Sequence, residues 1–95
     1  MMKHALFWIR NESDFNRLLQ IVIDPDNFGE SYVAWVQSAN QMLEVQRRQG
    51  LVLTKIYADP DEFAEWCRVN SRSPDRQSRI LYAAQKFSEE SPSDN

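Results

Sequence analysis

The chain has 95 residues and a mass of 11.2 kDa, which predicts a single domain over residues 1–87 and an acidic, serine-rich disordered tail over 88–95. A formal net charge of −3 argues against broad electrostatic attraction to nucleic acid or anionic membranes. No apolar run approaches the roughly 20 residues that a membrane span needs. The first ten residues do not fit a signal peptide, and a single cysteine excludes an internal disulfide. We therefore expect a cytosolic protein.

The first predicted element is the aromatic-rich run His4–Ile9, for which a buried strand is expected and a helical extension is the open alternative. Asn11 is then predicted to cap a helix that ends near Ile23, because the residue before Pro25 disfavours helical geometry. The apolar face of this helix is made of Phe15, Leu18, Leu19 and Val22.

A turn or loop over residues 24–30 is expected next, followed by the longest helix, from Glu30 or Ser31 to Gln49. Gly50 suits a helix end because glycine accepts the left-handed conformation. The run Leu51–Tyr57 predicts a strand, since four of its seven residues are β-branched or aromatic. Its two faces are both largely apolar, so we expect cover on both sides.

A strong helix-start signal follows this strand. Asp59 is predicted to cap a helix whose first residue is Pro60, and Phe63, Trp66 and Cys67 form its apolar face. The segment Ser73-Pro74-Asp75 is predicted to open the last helix by the same cap-then-proline rule. The expected apolar face of that helix consists of Ile80, Ala83, Ala84 and Phe87.

These elements predict a helix-rich α/β (α+β) fold in the order β-α-α-β-α-α. Two strands joined through helices are expected to pair in parallel, with a right-handed crossover. A two-stranded sheet is small for this much apolar surface. We therefore expect a second copy of the chain to complete it, which makes a homodimer a prediction from the sequence.

The segment Asp59–Arg68, with the pattern D-P-D-E-F-x-x-W-C-R, resembles a family of small uncharacterised bacterial proteins. The resemblance extends over about two thirds of the chain and includes Tyr32–Trp35, Gly50, Arg79 and the pair Ala83-Ala84. It implies a common fold and no particular activity.

Few residues offer chemistry. Cys67 lies in an apolar face and is interpreted as a core residue. His4 has no partner at metal-ligand spacing. The acidic groups near Asp24 and Asp59 are explained by turn and cap chemistry, although they would suit Mg²⁺ or acid–base chemistry if they converged. We therefore predict no catalytic residue, no cofactor and no metal site.

One basic segment stands out in this acidic chain. On the predicted last helix, Arg79, Tyr82 and Lys86 are expected to share a solvent-facing side, where two cations flank an aromatic ring. The alternative is an ordinary solvated face, on which Asp75 pairs with Arg79. The predicted interaction surface consists of Arg72, Arg76, Arg79, Tyr82 and Lys86.

Three functional hypotheses follow, in order of preference. The first is a non-enzymatic cytosolic protein that acts through protein contacts, either with itself as a homodimer or with another protein. The second is a nucleic-acid-associated accessory protein that uses the basic last helix. The third is an enzyme with an acidic or Cys67-centred site. Trp8, Trp35 and Trp66 are interpreted as core anchors, and any that are exposed would mark a partner surface.

Overall fold

A computed structural model describes residues 2–90, without the side chains of Met2 and Glu90. The predicted order β-α-α-β-α-α is confirmed, with one additional 3₁₀ helix. The elements are β1 (Met2–Trp8), α1 (Glu12–Ile21), the 3₁₀ helix (Pro25–Phe28), α2 (Tyr32–Arg48), β2 (Leu51–Tyr57), α3 (Pro60–Val69) and α4 (Arg76–Glu90). None of the described helices is long and apolar enough to cross a membrane.

The two strands form a parallel sheet in which Met2 pairs with Leu51 and Trp8 with Tyr57. Neighbouring residues in a strand point to opposite faces. On one face Phe7 meets Phe63 of α3 and Tyr82 of α4, with ring centroids 5.2 and 6.0 Å apart. On the other face Trp8 meets Trp35 of α2 at 5.0 Å. The helices α2 and α4 therefore cover opposite faces of the sheet.

Cover of β2 is less complete than the sequence predicts. Ile56 is buried on the α4 face, and Leu51 and Leu53 are half-buried on the other. Tyr57 on that second face remains 59% exposed, and Lys55 lies over the Trp8 ring at 4.1 Å while staying exposed. The expectation of two covered faces is therefore wrong at Lys55 and Tyr57.

The core lies mainly between the Phe7 face of the sheet and the helices. Its fully buried members include Ile9, Leu18 and Phe63. Phe15 of α1 packs edge-on against Phe28 of the 3₁₀ helix and holds that segment on the core. The domain is thus built around aromatic contacts between elements that are distant in sequence.

The predicted helix starts at Asn11, Ser31 and Asp59 are confirmed. Asn11 accepts a hydrogen bond from the Asp14 amide and Ser31 from the Ala34 amide. The Asp59 carboxylate accepts from the amides of Asp61 and Glu62 at 2.9 and 3.1 Å. At the end of α2, Gly50 has the predicted left-handed backbone, with φ at +89°.

Three local predictions need correction. Residues 25–28 form a 3₁₀ helix inside the predicted loop, because Asp24 accepts from the Asn27 amide. The last helix begins at Arg76, since Asp75 rather than Ser73 caps it by accepting from the Ser78 amide. That helix also continues through residues 88–90, so the predicted disordered tail is wrong for these three residues. The rest of that predicted tail lies outside the described residues.

Candidate interaction surface

The predicted basic surface on α4 is not a continuous solvent-facing patch. Arg79 is 7% exposed and Tyr82 is 2% exposed, so the expectation that both face solvent is wrong. Conversely, Ile80, which is predicted to lie on the apolar face, is 47% exposed. The helix is therefore rotated about its axis relative to the predicted orientation. As an interaction surface, the set of five residues stays a prediction.

Arg79 is buried because it has a specific partner 55 residues earlier in the chain. Its two terminal nitrogens donate to the two carboxylate oxygens of Asp24 at 2.9 and 2.8 Å. Its guanidinium also lies over the Phe28 ring at 4.6 Å. The hydrogen bond from Arg79 lowers the pKa of Asp24, and a further bond from Asn27 acts in the same direction. The predicted pair of Asp75 with Arg79 is thus replaced by a long-range pair.

The other members of the predicted set are placed differently from one another. Arg72 is half-buried and donates to the Ser78 hydroxyl at 3.0 Å. Lys86 is half-buried beside the Tyr82 ring, with its ammonium 5.9 Å from the ring centroid. Arg76 is exposed, and within residues 2–90 it has neither an ion pair nor a side-chain hydrogen bond. It is therefore the cation of this set that is most open to a partner.

A concave site lies beside Arg76, between α2 and α4. We call it the edge cleft. It has a volume of about 410 Å³. Its lining comes from β1, the 3₁₀ helix, α2 and α4. The residues are Ala5, Leu6, Phe7, Asn27, Phe28, Trp35, Ser38, Ala39, Met42, Arg76, Arg79 and Ile80.

The topology explains where the edge cleft opens. Within residues 2–90 the sheet has two strands, so one edge of β1 has no neighbouring strand. The cleft is lined by β1 together with helices from both faces of the sheet, and β2 does not contribute to it. A site with that lining lies along the unpaired edge of β1. An unpaired strand edge presents backbone N–H and C=O groups that can pair with another strand.

The walls of the edge cleft include apolar side chains that a lone domain leaves open to water. Met42 on the α2 wall is 39% exposed, and Ile80 on the α4 wall is 47% exposed. Leu6 on the floor and Trp35 are half-buried. The sequence alone did not single out Met42, Ile80 or Leu6 as site residues. The one available signal was that two strands are few for this much apolar surface. That signal predicted an incomplete sheet but did not show which residues flank its unpaired edge.

A second groove, of about 490 Å³, lies between α3 and α4 beside Trp66. Its rim carries Asp61 and Glu65, but these already pair with Arg17 and Arg68 respectively. The Trp66 indole N–H donates to Gln85 at 3.1 Å and is satisfied within the groove. Glu62 and Lys86 also line this groove without an ion pair among the described residues, so it carries charges of both signs. The edge cleft differs from it by lying along an unpaired strand edge.

Cys67 is 2% exposed, and burial raises the pKa of its thiol. Both effects disfavour a reactive thiolate. His4 is exposed on β1. In the part of the chain that is described, no three His, Cys, Asp or Glu side chains gather closely enough to hold a metal ion. The enzyme and nucleic-acid hypotheses stay predictions, and neither receives a specific site from this geometry.

Comparison with known proteins adds no relative to this description. No protein-family model matches the chain, and no match was found among curated proteins or solved structures. The resemblance carried by the segment Asp59–Arg68 thus gains no support from these comparisons, and the functional argument depends on the site itself.

Proposed function

We propose that this protein is a non-enzymatic interaction domain that binds an extended polypeptide segment along the unpaired edge of β1. The edge cleft is the observation that carries the proposal. It lies along the unpaired edge of β1, at Ala5, Leu6 and Phe7, and has apolar side chains on both walls. Strand addition uses these two features, because main-chain hydrogen bonds provide affinity and flanking pockets select alternate side chains.

The apolar walls give the cleft a physical reason to be occupied. Covering the exposed parts of Met42 and Ile80 removes apolar surface from water, at about 25 cal/mol per Å². A segment paired with β1 would reach both walls at once, since its successive side chains point to opposite faces. One short segment can therefore bury both walls.

The test is a selection of random eight-residue peptides displayed on phage, followed by affinity measurements on the selected peptides. The double variant Met42→Gln and Ile80→Gln makes both walls polar without adding charge. It should weaken binding about tenfold, the equivalent of roughly 1.4 kcal/mol. Nuclear magnetic resonance should place the largest amide shifts at Ala5, Leu6 and Phe7.

The matched control is Val45→Gln with Leu81→Gln. These residues lie on the same two helices, are 47% and 37% exposed, and do not line the edge cleft. The control should bind as the wild type does. If no peptide is selected, or if the selected peptides bind both double variants equally, the edge cleft is not the binding surface and the proposal fails.

A second copy of the chain is the other candidate occupant. Two β1 edges can pair antiparallel about a twofold axis, since such an interface is formed by the same patch on both partners. The exposed Met42 and Ile80 would then be covered by their counterparts. Light scattering over a concentration series tests this homodimer. A monomer at the highest concentration excludes it, whereas a dimer weakened by Met42→Gln and Ile80→Gln supports it.

A further inference from the structure

We infer that the segment bound in the edge cleft carries an acidic residue whose carboxylate pairs with Arg76. Two positions from this acidic residue, the same segment carries an apolar residue that covers Ile80. This inference rests on the proposed function and adds the chemistry of the partner. It starts from the charges that line the cleft.

The edge cleft is cationic in a chain that is acidic as a whole. The net charge of the chain is −3, yet the two charged side chains in the lining are Arg76 and Arg79. Arg79 is already neutralised, because both of its terminal nitrogens donate to Asp24. Arg76 has no such pair among residues 2–90. The charge in the cleft that no ion pair neutralises is therefore positive and lies on Arg76.

Arg76 is the first residue of the 15-residue helix α4, whose first turn contains no acidic residue. The partial positive charge at this end of the helix is offset by Asp75, whose carboxylate accepts from the Ser78 amide at 2.9 Å. The group left for an anionic partner to meet is therefore the guanidinium of Arg76.

The spacing of the α4 wall predicts a pattern in the partner. Arg76 and Ile80 are four residues apart, which is about 6 Å along a helix. Two residues of a β-strand span about 6.8 Å, and residues two apart lie on the same face. A strand beside β1 can therefore place an acidic and an apolar side chain, two positions apart, against Arg76 and Ile80.

The same charges weigh against a second copy as the occupant. The cleft lining offers Arg76 and Arg79 and no carboxylate, and Arg79 is already paired with Asp24 outside the lining. A twofold contact between two such clefts would bring like charges to one interface, which disfavours association. An acidic segment from another protein satisfies Arg76, and a second cleft does not.

The test uses the random eight-residue phage library, selected in parallel on the wild type and on Arg76→Glu. Because Arg76 is exposed and makes no ion pair among the described residues, this variant should fold normally, and its circular dichroism and melting temperature verify that. Wild-type selection should enrich Asp or Glu two positions from an apolar residue. Selection on Arg76→Glu should enrich Lys or Arg at that position instead.

The affinity arm compares a selected peptide with its Glu→Gln or Asp→Asn counterpart by fluorescence anisotropy. The acidic peptide should bind the wild type five- to tenfold more tightly, and the difference should vanish on Arg76→Gln. Lys86→Gln is the control, since Lys86 lies on the same helix outside the edge cleft. It should leave the difference unchanged.

The outcomes separate this inference from the function on which it rests. Peptides that depend on Met42 and Ile80 but show no acidic preference would overturn the inference and leave strand binding intact. Selection of no peptide would overturn both. A homodimer that is weakened by Met42→Gln and Ile80→Gln would also overturn the inference, because the cleft would then bind a second copy.

Discussion

The guanidinium of Arg79 is held on two sides, by the carboxylate of Asp24 and by the ring of Phe28. At 7% exposure it has little access to water, so most of its compensation comes from these two groups. The pair also joins the segment after α1 to the start of α4, together with the backbone bond from the Ile23 amide to the Pro74 carbonyl at 3.1 Å. It therefore holds one end of the edge cleft in place.

The first prediction at the residue scale concerns this pair. Asp24→Asn should lower the free energy of unfolding by about 2–3 kcal/mol, because it leaves a nearly buried guanidinium without its anion. Urea denaturation measures the change. Asp26→Asn, an exposed residue of the same segment, is the control and should stay within about 0.5 kcal/mol of the wild type. An equal effect of the two substitutions would contradict this role for Asp24.

The second residue-scale prediction is a pH dependence. The pKa of Asp24 is lowered in the folded state, chiefly by the hydrogen bond from Arg79. The folded protein therefore binds a proton at this site less readily than the unfolded chain does. The stabilisation is fully present above the unfolded pKa of about 4 and is lost as the pH falls through the folded value. Urea titrations from pH 7 to pH 3 should show the wild type and Asp24→Asn converging in stability below pH 4.

Residues that act locally were predictable, and those that act over long distances were not. Asn11, Ser31 and Asp59 cap amides two or three residues away, so their roles follow from short sequence patterns. Arg79 finds its partner 55 residues away, and a helix face gives no sign of such a partner. The sequence instead offered the nearer Asp75, which in fact caps α4.

At the scale of elements, α3 is the clearest case of a helix defined by its own start. Asp59 accepts from two amides of the first turn, and Pro60 occupies a position that needs no donor. The helix then buries Phe63 and Cys67 in the core, where Phe63 meets Phe7 of β1. Its cap and its apolar face indicate the same helix, which is why its start was predicted correctly.

This cap gives the third prediction. Asp59→Ala should destabilise the protein by about 1 kcal/mol, because two amides at the start of α3 lose their acceptor. Asp59→Asn should be close to the wild type, since asparagine caps helices about as well as aspartate. Thermal unfolding followed by circular dichroism compares the two. If Asp59→Ala and Asp59→Asn lose the same amount of stability, the effect comes from the negative charge of Asp59 and its ion pair with Arg10. It would then not come from the cap.

The helix α4 shows why an orientation about the axis is harder to predict than a boundary. Its sequence offers one stripe through Ile80 and Ala84 and another through Arg79 and Tyr82. Hydropathy favours the first, but the structure buries the second because Tyr82 packs on Phe7 and Phe63, and Arg79 on Phe28. Both residues carry an apolar body that packs well once the polar end has a partner. Ile80 is left on the wall of the edge cleft as a result.

For the whole molecule, Phe63 is a residue through which α3 meets both β1 and α4. Its ring is fully buried and contacts Phe7 of β1, Trp66 of α3 and Tyr82 of α4, at centroid distances of 5.2, 6.5 and 5.4 Å. The edge cleft, in contrast, assembles parts of the chain around residues 5–7, 35–42 and 76–80. The element order was therefore predictable from local patterns, whereas the cleft was not.

The fourth prediction belongs to this scale. Phe63→Ala should cost about 3–5 kcal/mol through lost burial and the cavity left behind. That is a large fraction of the 5–15 kcal/mol typical of a small domain, so a partly unfolded variant is the expected result. Val69→Ala, at a position of the same helix that is 64% exposed, should be nearly neutral. A fully folded Phe63→Ala variant with wild-type stability would show that this cluster does not hold the elements together.

The parallel pairing of β1 with β2 has a consequence during synthesis. Each residue of β1 pairs with one about fifty positions later in the chain. A ribosome that adds roughly 5–20 residues per second needs several seconds to make that stretch. Throughout this interval β1 has neither edge paired, and Phe7 and Trp8 lack most of their packing partners. In the nascent chain, chaperones or another strand can therefore reach the edge of β1 that later pairs with β2. Once folding is complete, the edge of β1 that faces the cleft is the one that stays accessible.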